Sequence, residues 1–201
     1  GAAGFRESYK EYTEKGQVEM GSRTVGLIGL GAIGHEAAKL LQPFECKMYY
    51  YDVVRQEDFE KKYGVEYATL DEIYEKCDII SYHVPVLDST RGMINKEAID
   101  KMKKDAIIVN VARGDLMNNA DVADALNEGK IYVAMDVIAP EPPKDDDPLF
   151  SLNETGLARF SITPHIAGTT DDSFMRMSQW SYDNMKRIED GEKPINIVNG
   201  L

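Results

Sequence analysis

The chain has 201 residues, 43% of them apolar, which suits one sizeable core. Its 23 basic and 35 acidic residues leave a formal charge of −12, which argues against nucleic acid or an anionic membrane as partner, since both need a basic face. The two cysteines, Cys46 and Cys77, make no metal-type pair and are expected to be buried thiols; no metal is expected, no apolar run approaches the roughly 18 residues of a membrane span, and the chain reads as a soluble cytoplasmic protein.

Residues 1–20 are polar. Phe5, Tyr9 and Tyr12 fall at helical spacing, so a short amphipathic helix is expected with no strand before it. From Thr24 the pattern becomes regular. Strand 24–29 leads to helix 32–42, which Pro43 stops. Strand 46–51 leads to helix 55–63, and a short strand 65–67 to helix 70–76. Strand 78–82, helix 96–102 and strand 106–111 follow, the last reading AIIVNV. Helix 120–128 ends at Gly129. Strand 131–137, an irregular loop from Pro140 to Pro148, strand 160–163 and a long helix 170–190 complete the series. Such alternation implies an α/β fold, a doubly wound parallel sheet with right-handed crossovers; joined to the glycine motif at Gly29, Gly31 and Gly34, it reads as a Rossmann-type dinucleotide-binding domain over residues 21–201.

The stretch TVGLIGLGAIG, Thr24 to Gly34, organises the chain. Val25 to Leu30 carries no charge, as a central strand buried on both faces requires. Gly29, Gly31 and Gly34 then stand in G-x-G-x-x-G spacing before a helix. The first allows the turn out of the strand, the second lets a pyrophosphate approach the backbone, and the third lets helix and strand pack closely. The new helix aims free N–H groups and the positive end of its dipole at the phosphate. Asp52 ends the next apolar run, 18 residues after Gly34. An acid there accepts hydrogen bonds from a ribose 2′-OH and repels a 2′-phosphate, favouring NAD over NADP. Arg55 complicates this, because three residues on it could reach a phosphate.

Ligands of open parallel sheets sit beyond the carboxyl ends of the strands. Those ends carry His83-Val84-Pro85, Ala112-Arg113-Gly114, Pro140-Glu141-Pro142 and Pro164-His165-Ile166. An Arg fork clamps a carboxylate. A His carries a proton to or from an oxygen, and a Glu beside it orients the ring and favours its charged form. With a nicotinamide on the glycine loop, Arg113, Glu141 and His165 suit hydride transfer between a 2-hydroxy acid and a 2-keto acid. His35 opens a helix and is expected to be exposed or near the phosphate; His83 ends a strand and is expected to bond a backbone group.

GLGAIG, YDV, HVP with TRGMIN, NVARGDL, AMDVIAPEP and TPHIAGTT together resemble the D-isomer-specific 2-hydroxyacid dehydrogenases over about residues 20–200. The resemblance implies Arg113 as substrate clamp, Glu141 as partner of the histidine and His165 as general acid/base. It implies NAD contacts near Ala32 and Ile33 on the pyrophosphate and at Asp52 on the adenosine ribose. Val84, Pro85 and Thr90 would lie along the adenine and ribose side, and Val111, Ala112, Asp136 and Gly168 would flank the nicotinamide. Formate dehydrogenases of the family resemble the chain less, since they carry Gln where Glu141 stands. The family also implies a homodimer and an N-terminal substrate domain; residues 1–20 read as the remnant of the helix joining the two domains. An NAD-sensing, corepressor-like member of the same family with little turnover is the alternative reading.

Overall fold

The computed structural model describes residues 1–15 and 17–197; Gly16, residues 198–201 and the side chains of Glu11, Tyr12 and Lys15 lie outside the described residues, among them the Tyr12 ring that the helical spacing singles out. Two compact units divide the chain, Gly1–Ile162 and Thr163–Leu201.

The first unit opens with helix α1 (Ala2–Lys15), where Phe5 and Tyr9 stack and stay exposed. Then follow β1 (Thr24–Ile28), α2 (Ala32–Leu41), β2 (Lys47–Tyr51), α3 (Glu57–Tyr63), β3 (Val65–Tyr67), α4 (Leu70–Lys76) and β4 (Ile79–Tyr82). The second half of this unit holds α5 (Lys96–Lys101), β5 (Ala106–Asn110), α6 (Asn119–Asn127), β6 (Ile131–Met135), α7 (Glu154–Leu157) and β7 (Phe160–Ile162). The second unit carries α8 (Asp171–Glu189). All strand pairs are parallel, in the order β3-β2-β1-β4-β5-β6-β7. The doubly wound sheet expected from the alternation is therefore present. Element ends fall within two residues of the sequence-based ranges. The single-turn α7 and the 3-10 turns at Gly114–Leu116 and Pro148–Phe150 were not expected, being too short to show a period.

Val25 to Leu30 is buried throughout. Val25 and Leu27 pack with Ala38, Met48, Tyr50 and Val65 beneath α2 and α3. Ile28 belongs to the opposite face, with Ile73, Cys77, Ile99, Ile108 and Leu126 beneath α4, α5 and α6. A side chain on Gly26 would reach Ile73 Cγ2 and Cys77 Sγ, so its absence lets α4 lie directly on β1. Helix starts follow their caps. Thr69 and Glu72 form a reciprocal capping box, and the hydrogen bond from Lys76, followed by those from Thr69, holds the Glu72 carboxyl down at about 2. The Asn118 side chain accepts from the Ala120 and Asp121 amides and so starts α6. Gly129, at φ +69°, follows α6 and takes the left-handed conformation expected of a glycine there.

Both cysteines are free and buried, as expected. Burial pushes the Cys77 thiol up to about 12 and the Cys46 thiol upward as well. The nucleophile is the thiolate. At pH 8 the native protein should therefore leave a disulfide reagent unconsumed for minutes, and adding denaturant should expose both thiols. Rapid native titration of one equivalent would overturn this.

Candidate functional site

The strand order reverses direction between β1 and β4, and the crevice at such a switch point is where α/β sheets take ligands. Gly29 leaves β1 with φ +98°. Its N–H donates to the Tyr51 carbonyl at 2.8 Å. A Cβ there would stand 2.8 Å from the His83 carbonyl group and 2.9 Å from Val84 Cγ1. Gly34 has the tighter constraint: a Cβ would overlap the Gly29 carbonyl oxygen. Gly31 differs from both. It caps α2, and no atom lies within 4 Å of where its Cβ would be. Gly29 and Gly34 thus serve packing, while Gly31 opens free space over the first turn of α2, where Ala32 and Ile33 are exposed. Open space beside unpaired helix amides fits a pyrophosphate.

Asp52 follows β2. Its Oδ2 accepts the Leu30 N–H at 2.7 Å and its Oδ1 the Val54 N–H at 3.2 Å. Both oxygens keep acceptor capacity for hydroxyl groups. Arg55 forms a two-pronged pair with Glu60, Nε to Oε1 at 2.9 Å and Nη2 to Oε2 at 3.0 Å. The Tyr50 hydroxyl donates to Glu60 Oε1 and accepts the Gln56 N–H, both at 2.8 Å; burial pushes it up to about 12. His35 is half-buried, stacked on Phe59, with Nε2 2.6 Å from Gln56 Oε1. Since Gln56 gives its amide hydrogens to the Leu30 carbonyl at 2.7 Å, its oxygen faces His35, whose Nε2 is the donor. His35 therefore braces the β2–α3 loop. His83 bonds Ser81 Oγ at 3.0 Å through its ring and the Ile28 carbonyl through its N–H, and burial holds its pKa below the ordinary histidine value.

Val84 and Pro85 lie beyond β4. Thr90 Oγ1 donates to the Pro85 carbonyl at 2.6 Å and accepts the Leu87 N–H at 2.8 Å, closing that loop on itself. Arg91 pairs with Asp115.

Beyond β5 the organiser is Asn110, fully buried at the strand end. Its Oδ1 accepts the Ala112 N–H at 3.1 Å, its Nδ2 donates to the Arg113 carbonyl at 3.0 Å, and its own carbonyl accepts the N–H of buried Asp136 at 3.1 Å. The turn Val111-Ala112-Arg113 is thereby fixed, with the Arg113 side chain exposed and one N–H on the Ala112 carbonyl at 2.6 Å. Gly114 admits no side chain, because a Cβ would overlap the backbone of Ile138 and Ala139. That contact joins the Arg113 turn to the Glu141 loop. Arg113 and Glu141 line one cleft of about 620 Å³, with Arg91, Asn118 and Pro140. Asn119 steadies the loop by donating to Asp147 Oδ2 at 2.7 Å and to the Ala139 carbonyl at 3.2 Å. Asn110 and Gly114, both within the NVARGDL stretch, are positioning residues to which motif reading gave no part. A polar residue ending the apolar run AIIVN is the signal that marks Asn110; Gly114 had none, since glycine after arginine reads as an ordinary loop.

His165 and Gly168 belong to the second unit. His165 adopts φ +55°, left-handed and uncommon for a residue with a side chain, and its N–H donates to the Thr163 carbonyl at 3.0 Å. No atom lies within 4 Å of a Cβ built on Gly168. Thr170 caps α8 by accepting the Ser173 N–H at 3.2 Å.

Residues 4–167 match the model of the D-isomer specific 2-hydroxyacid dehydrogenase, NAD binding domain. The glyoxylate reductase of Korarchaeum cryptofilum (strain OPF8) is 39% identical over 178 residues, 88% of this chain and 52% of that protein. A mitochondrial formate dehydrogenase of Hordeum vulgare is 37% identical over 178 residues, 87% of this chain and 46% of that one. The NAD complexed form of the D-isomer specific 2-hydroxyacid dehydrogenase from Lactobacillus delbrueckii ssp. bulgaricus superposes with a TM-score of 0.80 at 32% identity, covering 94% of this chain and 60% of that one. The chain spans about half the length of the curated relatives it matches. It belongs to the D-isomer-specific 2-hydroxyacid dehydrogenases, whose NAD-binding domain it carries.

Proposed function

We propose that this chain is the cofactor-binding part of an NAD-dependent dehydrogenase that moves a hydride between nicotinamide and a small 2-hydroxy or 2-keto acid, of phosphoglycerate, glycerate/glyoxylate or lactate type. The observation that carries the reading is the cleft shared by Arg113 and Glu141 in the unit that also holds the open turn at Gly31. Bound NAD supplies the hydride acceptor or donor. The protein's residues do the rest. Arg113 holds the substrate carboxylate through its free N–H edge, with its backbone fixed by Asn110. His165 moves the proton at the substrate's C2 oxygen, and Glu141 orients it. A histidine in left-handed backbone is the kind of local strain that functional sites retain, which supports that role.

On the cofactor side, Gly31, Ala32 and Ile33 receive the pyrophosphate, Gly29 and Gly34 complete that site by shaping the turn and seating the helix close to the strand, and Asp52 takes the adenosine ribose. Val84, Pro85 and Thr90 line the adenine and ribose side; Thr90 acts by holding Pro85 in place, its hydroxyl proton being given to the Pro85 carbonyl. Val111, Ala112, Asp136 and Gly168 flank the nicotinamide. No described helix is long and apolar enough to cross a membrane. We read the protein as a cytoplasmic homodimer: its free thiols suit a reducing compartment, and the dimer rests on the family resemblance.

Three experiments test this on the whole protein. NADH should bind, and at least one of glyoxylate, hydroxypyruvate or pyruvate should be reduced. Arg113→Lys should cut kcat/KM by about tenfold to a hundredfold, as expected for loss of a charge-assisted hydrogen bond worth roughly 1.5–3 kcal/mol. NADH binding without reduction of any of these acids would favour the NAD-sensing alternative. Asn110→Ala should lower kcat/KM by about tenfold, from roughly 1.4 kcal/mol of lost positioning, while leaving NADH affinity within about threefold. Equal loss of both would make Asn110 a residue of the fold alone.

A further inference from the structure

We propose that Glu60, through its fork with Arg55, is a determinant of the preference for NAD over NADP; the inference rests on the placement of Asp52 at the adenosine ribose proposed above. Asp52 repels a 2′-phosphate, yet Arg55 stands only three residues further along the same loop, with its side chain 58% exposed. A free guanidinium there would pair with a phosphate through two parallel hydrogen bonds and offset the repulsion. It is not free. Nε and Nη2 both face the Glu60 carboxylate, at 2.9 and 3.0 Å.

Glu60 cannot follow Arg55 toward a ligand. Its side chain is only 15% exposed, and Tyr50 donates to its Oε1 at 2.8 Å. Tyr50 rises from β2, which is paired on both sides, and is itself held by the Gln56 N–H at 2.8 Å. The Arg55 and Tyr50 hydrogen bonds keep the Glu60 carboxyl below its ordinary range, so the carboxylate is charged throughout neutral pH. The Arg55 guanidinium also lies 5.7 Å from the Tyr67 ring. With Nε and Nη2 committed and its charge already compensated by Glu60, Arg55 could turn its full fork on a 2′-phosphate only by leaving a shielded carboxylate without its cation. The acidic first turn of α3, with Glu57 and Asp58 beside Glu60, adds repulsion of its own.

NADH and NADPH titrations, read by fluorescence, test the lock. Glu60→Gln keeps the volume and the acceptor for Tyr50 but removes the charge and one prong. It should tighten NADPH about tenfold and change NADH less than about twofold. Arg55→Ala in the parent should leave both affinities nearly unchanged, and adding it to Glu60→Gln should cancel the NADPH gain. Unchanged NADPH affinity in Glu60→Gln overturns the proposal, as does a parent Arg55→Ala variant that loses NADPH affinity, since Arg55 would then already serve the phosphate. If Glu60→Gln fails to fold, the Arg55→Ala titration decides alone. Asp52→Asn, run in parallel, should also tighten NADPH. Failure there overturns the ribose placement and the inference together; success there with failure of Glu60→Gln overturns the inference only.

Discussion

The Gly29 carbonyl oxygen occupies the space that any side chain on Gly34 would need, and much of the first unit follows from that single approach. It lets α2 start directly above the end of β1. Leu30, between the two, then has its N–H aimed at Asp52 and its carbonyl at Gln56, residues that follow the neighbouring strand. One turn thereby ties the end of β1 to the end of β2. The same closeness places Gly31 at the outside of the bend, where nothing competes for its surface. A methyl group on Gly34 would push the helix away and separate all three.

Electrostatics in this molecule is local. The chain is strongly acidic overall, but its ion pairs are short-range arrangements that orient particular groups. Surface pairs of this kind contribute little to stability, on the order of 0–1 kcal/mol each. Their value lies in direction. Arg91 is turned toward Asp115 and Arg55 toward Glu60, whereas the Arg113 side chain bonds only its neighbour's carbonyl among the contacts described above. In the cleft that Arg91 and Arg113 share, the two arginines thus do different work.

The sheet was legible from the sequence because hydrophobic alternation repeats over every strand and helix, and one face of a parallel sheet looks like the other. The glycines, Asp52 and Arg113 were legible because each is a residue type with few roles at its place in that pattern. What escaped depends on pairs from different elements. Nothing near Arg55 in the chain says that Glu60 and Tyr50 converge on it. His35 was expected to be exposed or near the phosphate because it follows the glycine loop, and only the position of Gln56 and Phe59 shows that it is half-buried against them. Asn110 could have been found by asking where a buried amide at a strand end finds its partners, whereas Gly114 is explained solely by the backbone of a loop some two dozen residues away.

The seat of Gly114 on Ile138 and Ala139 has a mechanical meaning. Two loops pressed together without an intervening side chain have no compliance between them, so the Arg113 turn and the start of the Glu141 loop form a single rigid lip. A shift of one loop is therefore passed directly to the other. For engineering, the seam is closed to variation from the Gly114 side. Variation of the cleft is open instead at the rim, around the exposed Asn118 and Pro140, where added volume displaces solvent rather than backbone.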